Sequence, residues 1–324
     1  MMRITRRKFA SGAGMALAAG SLPFSTGMAA QAADAGVIGL TGAAGRLGTQ
    51  VVESLLKLVP AQRIVAIARN REEQTAGLAA KGVTVRFADY DYPDQLLEAF
   101  RGVDRLLLVS SSGGKRVAQH TAVINAAKER GVKFLAYTSF LRAATSPMSV
   151  RADHHATEQV LASSGLAWAA LRNGWYTENY EGDVATAFRT GELSAASGNG
   201  RISPATRADY GAAAAAVLVD TSRPSGQLHE LAGDTSFTMA ELAAEVARQS
   251  GRQVKFHSQT EAEFRAGMAA RGMPEAAIAN SWASQAAIAQ GALFDDSRQL
   301  SRLIGRPTTP WQDSVKAMLA QLRG

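Results

Sequence analysis

The chain has 324 residues, 35 Lys plus Arg against 28 Asp plus Glu, a formal charge of +7 and no cysteine. Without a thiol there is no disulfide framework, thiolate metal site, iron–sulfur cluster or cysteine nucleophile. With 46% apolar and 19% charged residues, the chain is globular rather than disordered and long enough for one large domain or two modest ones.

Arg3, Arg6, Arg7 and Lys8 open a segment with no acidic residue through position 32. Thr5-Arg6-Arg7-Lys8-Phe9 matches the twin-arginine export pattern, a weakly apolar Gly- and Ala-rich stretch runs from Ala10 to Met28, and Ala30-Gln31-Ala32 offers a small-x-small cleavage site. Residues 1–32 are therefore expected to be a signal peptide read by the Tat translocon and removed, leaving a periplasmic protein, or a cytoplasmic one if the signal is inefficient. A disordered basic terminus or an uncleaved anchor are the alternatives. Gly12, Gly14, Gly20 and Pro23 argue against a spanning helix. The remaining 31 basic residues against 28 acidic leave +3, and with no basic aromatic patch nucleic acid is not an expected partner.

The apolar run Gly36 to Leu40 predicts a strand, Thr41 to Gly48 a glycine loop, and the spacing of Val51, Val52, Leu55, Leu56 and Val59 a helix ending at Pro60. The loop reads G-x-x-G-x-x-G rather than the common G-x-G-x-x-G. Its demands are the same: Gly42 for the tight turn, Gly45 for approach of backbone to a pyrophosphate, Gly48 for close packing of helix on strand, with the helix N-terminus facing the phosphates. A second strand, Arg63 to Ala68, ends at Arg69 about 20 residues on, where an acidic residue would suit NAD and an arginine suits the 2′-phosphate of NADP. Arg71 is a candidate to share that task. A solvated charge is the alternative reading of Arg69.

Strand three, Val83 to Ala88, would bring Asp89 and Tyr90 near the adenine. A helix over Pro93 to Phe100 precedes strand four, Arg105 to Val109, which runs into Ser110-Ser111-Ser112-Gly113-Gly114. Small polar residues at that strand end fit the crevice; a plain Ser/Gly linker is the rival. Helices over Arg116 to Arg130 and Asp153 to Ser163 flank strands Phe134 to Ser139 and Ala167 to Arg172. This alternation predicts an α/β fold with a Rossmann-type doubly wound parallel sheet over residues 36–185.

The Tyr-x-x-x-Lys pair of short-chain dehydrogenase/reductases is missing from the window Arg151 to Gln159, and Tyr137 is followed at the fourth position by Leu141. A carbonyl reduced to an alkoxide needs such an acid, whereas a quinone gives a stabilised phenolate that solvent can protonate. His154 and Glu158, at i and i+4, share a helix face and are candidates for an acid or orienting pair; a surface helix pair is the alternative. His154, His155 and Glu158 lack the H-E-x-x-H order, and no metal is expected. After strand six, Asn173 to Tyr180 gathers Trp175, Tyr176 and Tyr180 beside Gly174, suited to stacking a planar substrate or to core packing. Tyr137, Trp175 and Tyr176 are the substrate-binding candidates.

TGAAGRLG, VAIARN, LLLVSSS, FLAYTS, LRNGWYTENY, ATRADY and LFDDSRQLSRLIGRPTTP, in that order, resemble the NmrA-like, atypical branch of the short-chain dehydrogenase/reductases, and within it the bacterial NADPH-dependent quinone oxidoreductases. The similarity runs from Val37 onward. It implies that Gly42, Ala43, Ala44, Gly45, Arg46, Leu47, Gly48, Arg69, Ser111, Ser112, Asn173, Gly174, Trp175, Tyr176, Thr177, Glu178 and Thr206 bind NADP(H), and that a quinone lies over the nicotinamide beside the 173–178 loop. The implied activity is direct hydride transfer without a flavin. Some NmrA-like members only sense NADP(H), and the missing Tyr and Lys keep that reading, or reduction of another electron-poor acceptor, open. Two features depart from the branch: the export signal, and Gln159 where a lysine is expected.

From about Thr186 the alternation fades. Asp209 is expected to cap a helix over Tyr210 to Val219, Thr238 to Glu241 to start another, Leu228 to Leu231 and Gln253 to Phe256 to form short strands, and Glu261 to Ala270, Pro274 to Ala289 and Trp311 to Leu322 to be helical. Residues 186–324 thus read as a smaller, mostly helical substrate lobe, some of whose elements return to the sheet. A homo-oligomer is compatible with the sequence.

Overall fold

The structure, a computed structural model, describes residues 35–69 and 72–323; the twin-arginine segment and Arg71 lie outside them. Strands β1 (Ile38–Leu40), β2 (Ile64–Ala68), β3 (Thr84–Phe87), β4 (Arg105–Leu108), β5 (Phe134–Phe140) and β6 (Ala167–Asn173) alternate with helices α1 (Arg46–Leu55), α2 (Glu72–Ala79), α3 (Pro93–Ala99), α4 (Arg116–Glu129) and α5 (Arg151–Ser163). The chain continues through a 3₁₀ turn (Thr177–Tyr180), α6 (Glu181–Thr190), β7 (Glu192–Ala195), α7 (Arg207–Val219), β8 (Gln227–Leu231), α8 (Met239–Ser250), β9 (Lys255–Ser258), α9 (Glu261–Ala270), α10 (Glu275–Ala289), α11 (Gln299–Ile304) and α12 (Trp311–Arg323). Seven parallel strands lie in the order β3-β2-β1-β4-β5-β6-β8, and β7 and β9 form a separate parallel pair.

The strands β1, β2, β4 and β5 are buried at every residue, as a parallel sheet covered on both faces requires. One face packs on α1, α7 and α11, the other on α3, α4 and α5, and a third apolar cluster fills the lobe formed by α6, α8, α10 and α12. The 186 boundary falls inside α6, and three elements beyond it, α7, β8 and α11, belong to the sheet layers. β8 extends the sheet beside β6, while α7 lies against α1. Gly211 makes that approach possible: a Cβ there would sit 2.8 Å from the backbone of Gln50. The alanine run of α7 is buried, consistent with close helix packing.

Asp209 does not cap α7. The cap is Thr206, whose Oγ1 accepts from the Asp209 amide at 3.1 Å. Asp209 is fully buried at the third helical position. Its carboxylate accepts from the Thr206 hydroxyl (2.9 Å) and the Thr309 amide (3.0 Å) and faces Arg306 at 2.7 Å.

Candidate active site

At the carboxyl ends of β1, β2 and β4 the chain opens a groove of about 600 Å³. Gly42 takes a left-handed φ of +62°, closed to most side chains, and turns the chain from β1 into the loop. A Cβ on Gly48 would lie 2.2 Å from the Gly42 carbonyl oxygen, so only glycine allows α1 to start so near the strand. The helix begins after Gly45 with no side-chain cap, leaving its first amides turned to the groove without a protein acceptor from the capping residue. Tyr90 braces the opposite side: its hydroxyl donates to the Val109 carbonyl (2.8 Å) and lies 2.5 Å from Thr41 Oγ1, which accepts the Val109 amide. Burial pushes that phenol well up, so it stays protonated. Ser111 Oγ and Gln119 Oε1, both on the groove wall, are buried with no protein partner. Orphaned polar atoms beside a glycine cradle and an uncapped helix fit a dinucleotide.

Of the expected nucleotide residues, Gly42, Ala44, Gly45, Arg46, Arg69, Ser111 and Ser112 line this groove. Ala43, Leu47 and Gly48 lie buried beneath it. Asp89, Tyr90 and Gln119 also line it. Gln119 was missed because a single glutamine in the first turn of a helix carries no pattern.

The 173–178 segment stands apart from the groove wall. Asn173 is buried with Oδ1 unpartnered, and Gly174 donates to the Leu231 carbonyl at 2.7 Å. Tyr176 meets Tyr210 edge-on, ring centroids 5.3 Å apart, and lies beneath the Arg207 guanidinium. Tyr176 is half-buried in this packing and lines neither cavity, unlike the substrate contact expected from the sequence. The Thr177 amide donates to the Ala205 carbonyl, and Glu178 Oε1 accepts from the Arg207 amide at 2.9 Å, so the segment is pinned to the start of α7. Thr206 corrects another expectation: its hydroxyl is engaged in the cap and it lines neither cavity.

Tyr137, His154 and Glu158 also need correcting. Tyr137 is fully buried in β5, its hydroxyl 2.8 Å from His154 Nδ1, so it reaches no substrate. His154 and Glu158 do share a face of α5, but that face is buried against the sheet and the two do not bond each other. Glu158 accepts from Ser139 Oγ (2.6 Å) and takes both Nε and Nη2 of Arg172 (2.9 and 2.7 Å), a fork that closes with Glu230 at 2.7 Å. Burial, aided by Arg116, lowers His154 to about 4, so it is neutral at physiological pH. The same cause lowers His120 to about 3. His120 Nε2 accepts the Ser111 amide at 3.0 Å, placing this neutral imidazole directly under the groove. Neither an active-site pair nor a surface pair describes α5; its polar face is a buried brace.

A larger cavity of about 790 Å³ lies where α6 and β7 meet α9 and α10. Trp175, at the end of β6, is on its wall with Met148, Phe264, Met268, Ile288 and Asp183. Of the three expected substrate residues, Trp175 alone borders a cavity. The i, i+4 spacing of Phe264 and Met268, like that of Thr186 and Thr190 or Ser284 and Ile288, is a faint trace of this wall in the sequence.

The NAD(P)H-binding family matches residues 42–221. Quinone oxidoreductase 2 of Escherichia coli (strain K12) is 49% identical over 280 residues, 86% of this chain and 97% of that protein. The crystal structure of the E. coli NADPH-dependent quinone oxidoreductase complexed with NADPH superposes with a TM-score of 0.82 at 48% identity, covering 87% of this chain and 100% of that one. Citrobacter sp. triphenylmethane reductase complexed with NADP(H) gives 0.80 at 34% identity, over 87% and 99%.

Proposed function

Because the chain belongs to the NAD(P)H-binding family, we propose that it is an NADPH-dependent quinone reductase, passing hydride directly to a quinone with no flavin. The observation that carries this reading is the conjunction of an NADP-shaped groove with a second, aromatic-walled cavity, in a chain 49% identical to a quinone oxidoreductase. NADPH, when bound, supplies the hydride. The loop from Gly42 to Leu47 holds its pyrophosphate against α1, Arg69 meets the 2′-phosphate, and Ser111, Ser112 and Gln119 offer hydrogen bonds along the β4 end. Trp175 supplies a flat apolar wall that holds a ring in place and excludes water. The similarity to a triphenylmethane reductase favours, as a second reading, other planar electron-poor acceptors in the same cavity.

The amino-terminal sequence supports export: the protein crosses the membrane folded through the Tat translocon, loses residues 1–32 and works in the periplasm. NADP(H) bound before export would travel with it. One experiment addresses both parts. Mature protein recovered from the periplasm is assayed for retained nucleotide and for NADPH oxidation with benzoquinones and naphthoquinones. Turnover with a processed amino terminus is expected. Bound NADPH that reduces no acceptor would sink the enzyme reading, and an intact signal on cytoplasmic protein would sink export.

A further inference from the structure

We propose that Asp183 is the acid of the reaction, its carboxyl giving a proton to a quinone oxygen in the larger cavity as hydride reaches the ring. This rests on the quinone reductase reading and names the group that the missing Tyr-x-x-x-Lys leaves unfilled.

The two cavities share no lining residue but follow one another along the carboxyl ends of the strands. The groove follows the carboxyl ends of β2, β1 and β4; the next ends in the sheet are those of β5 and β6, and Trp175 beyond β6 borders the larger cavity. Arg46 of the groove wall also lies 3.9 Å from Glu181, the first residue of α6, two positions before Asp183. Trp175 and Asp183 line the same cavity, so a ring held against Trp175 lies in the space that Asp183 borders.

Three charged residues border the larger cavity: Asp183 from α6, Glu192 from β7 and Arg271 from α9. Glu192 and Arg271 are exposed, whereas Asp183 is half-buried on the wall it shares with Tyr180 and Trp175. Among the described residues Asp183 makes no hydrogen bond or ion pair, so its carboxyl is committed to nothing in the protein. Several charges on neighbouring elements are engaged elsewhere, while Asp313 and Lys316 of α12 line neither cavity. Glu181 turns to Arg46; from α8, Glu245 is held by Arg248 and Gln249; from α12, Arg323 donates to the Gln249 carbonyl. Burial alone raises the Asp183 carboxyl above the usual carboxylate range, which favours the protonated form. Burial also pushes the Tyr180 phenol far up, too weak an acid to compete.

The step balances. The nicotinamide C4–H bond would break as hydride brings two electrons and one hydrogen to one quinone oxygen, leaving the hydroquinone monoanion; the Asp183 O–H bond breaks as the second hydroquinone O–H forms; the carboxylate is reprotonated by water through the cavity mouth.

The test compares wild-type mature protein with Asp183→Asn, which keeps the size and removes the acid, and Asp183→Glu. NADPH oxidation by 1,4-naphthoquinone is followed from pH 5 to 9, with NADPH Kd and Tm measured alongside. We expect wild-type kcat to fall as pH rises. Asp183→Asn should lose roughly tenfold in kcat, less than the usual effect of a positioned acid because a quinone phenolate is already stable. It should also lose the pH dependence, with KM, NADPH Kd and Tm unchanged, and Asp183→Glu should recover part of the rate. Wild-type turnover with an unchanged Asp183→Asn kcat, or a change in KM alone, overturns the proposal and leaves the quinone reading standing. Wild-type protein that binds NADPH yet reduces no quinone overturns both.

Discussion

The nucleotide groove is walled largely by backbone at strand ends, from Gly42 to Gly45 and Ser110 to Gly113, whereas the larger cavity is walled by side chains drawn from positions as far apart as Met148 and Ile288. The first recognises what every NADP(H) molecule shares, a phosphate chain that amides can hold. The second fits the part of the reaction that differs between relatives, and its wall changes with substitutions at lining positions such as Phe264 and Met268 of α9 or Ser284 and Ile288 of α10. Binding of donor and acceptor should therefore respond to separate sets of residues, above a common sheet.

The largest expected effect is on that common sheet. Glu158→Ala leaves Arg172 buried with Glu230 as its remaining carboxylate and should cost about 3–5 kcal/mol of stability, read as a lowered Tm, with kcat of the folded fraction unchanged. Loss of kcat at an unchanged Tm would return Glu158 to the active site. Next comes acid. His120 and His154 stay neutral in the fold down to about 3 and 4, while in the unfolded chain they protonate below about 6.5. The unfolded state then binds more protons, so the stability held above pH 6.5 is lost as pH falls toward 4, by about 2 kcal/mol per histidine at pH 5. Melting at pH 7 and pH 5 should show this, and His120→Asn and His154→Asn should each flatten it; an equal slope in both variants would mean that solvent reaches these rings.

Two smaller effects cross the comparison itself. Arg69→Asp should raise the NADPH Kd by about 30-fold, some 2 kcal/mol for a charge-assisted contact, with little change for NADH or in quinone KM. Phe264→Ala should raise the naphthoquinone KM about fivefold, near 1 kcal/mol of lost aromatic contact, with NADPH Kd unchanged. Either variant moving both constants would merge the two cavities into one site.

What the sequence disclosed divides along the same line. Gly42, Gly45 and Gly48 announce the groove because backbone geometry has few solutions and glycine spacing encodes it locally. Arg69 and Ser111 follow from strand ends. The larger cavity has no compact local signature, since its wall is assembled from several elements, each giving only a short i, i+4 pair such as Thr186 and Thr190, Phe264 and Met268, or Ser284 and Ile288. The i, i+4 spacing of His154 and Glu158 correctly placed them on one face but carried no information on where that face points. Ser139 and Arg172, which make burial of Glu158 tolerable, come from β5 and β6 and become its partners only when the sheet forms. Which elements beyond 186 return to the sheet was not legible, because adjacency in the chain differs from adjacency in the sheet: α7, β8 and α11 do so.

The position of α7 governs when the nucleotide site gains its full support. α1 presents its N-terminus to the groove, yet the helix that covers its flank begins more than 150 residues later, at Arg207, and is tied down in turn by Arg306 and the Thr309 amide near the end of the chain. Contacts of such long sequence separation form late, so α1 gains its cover after the groove's own lining, residues 42–119, has been made. A fragment ending before residue 306 should therefore hold α1 more loosely and bind NADPH more weakly than the full chain.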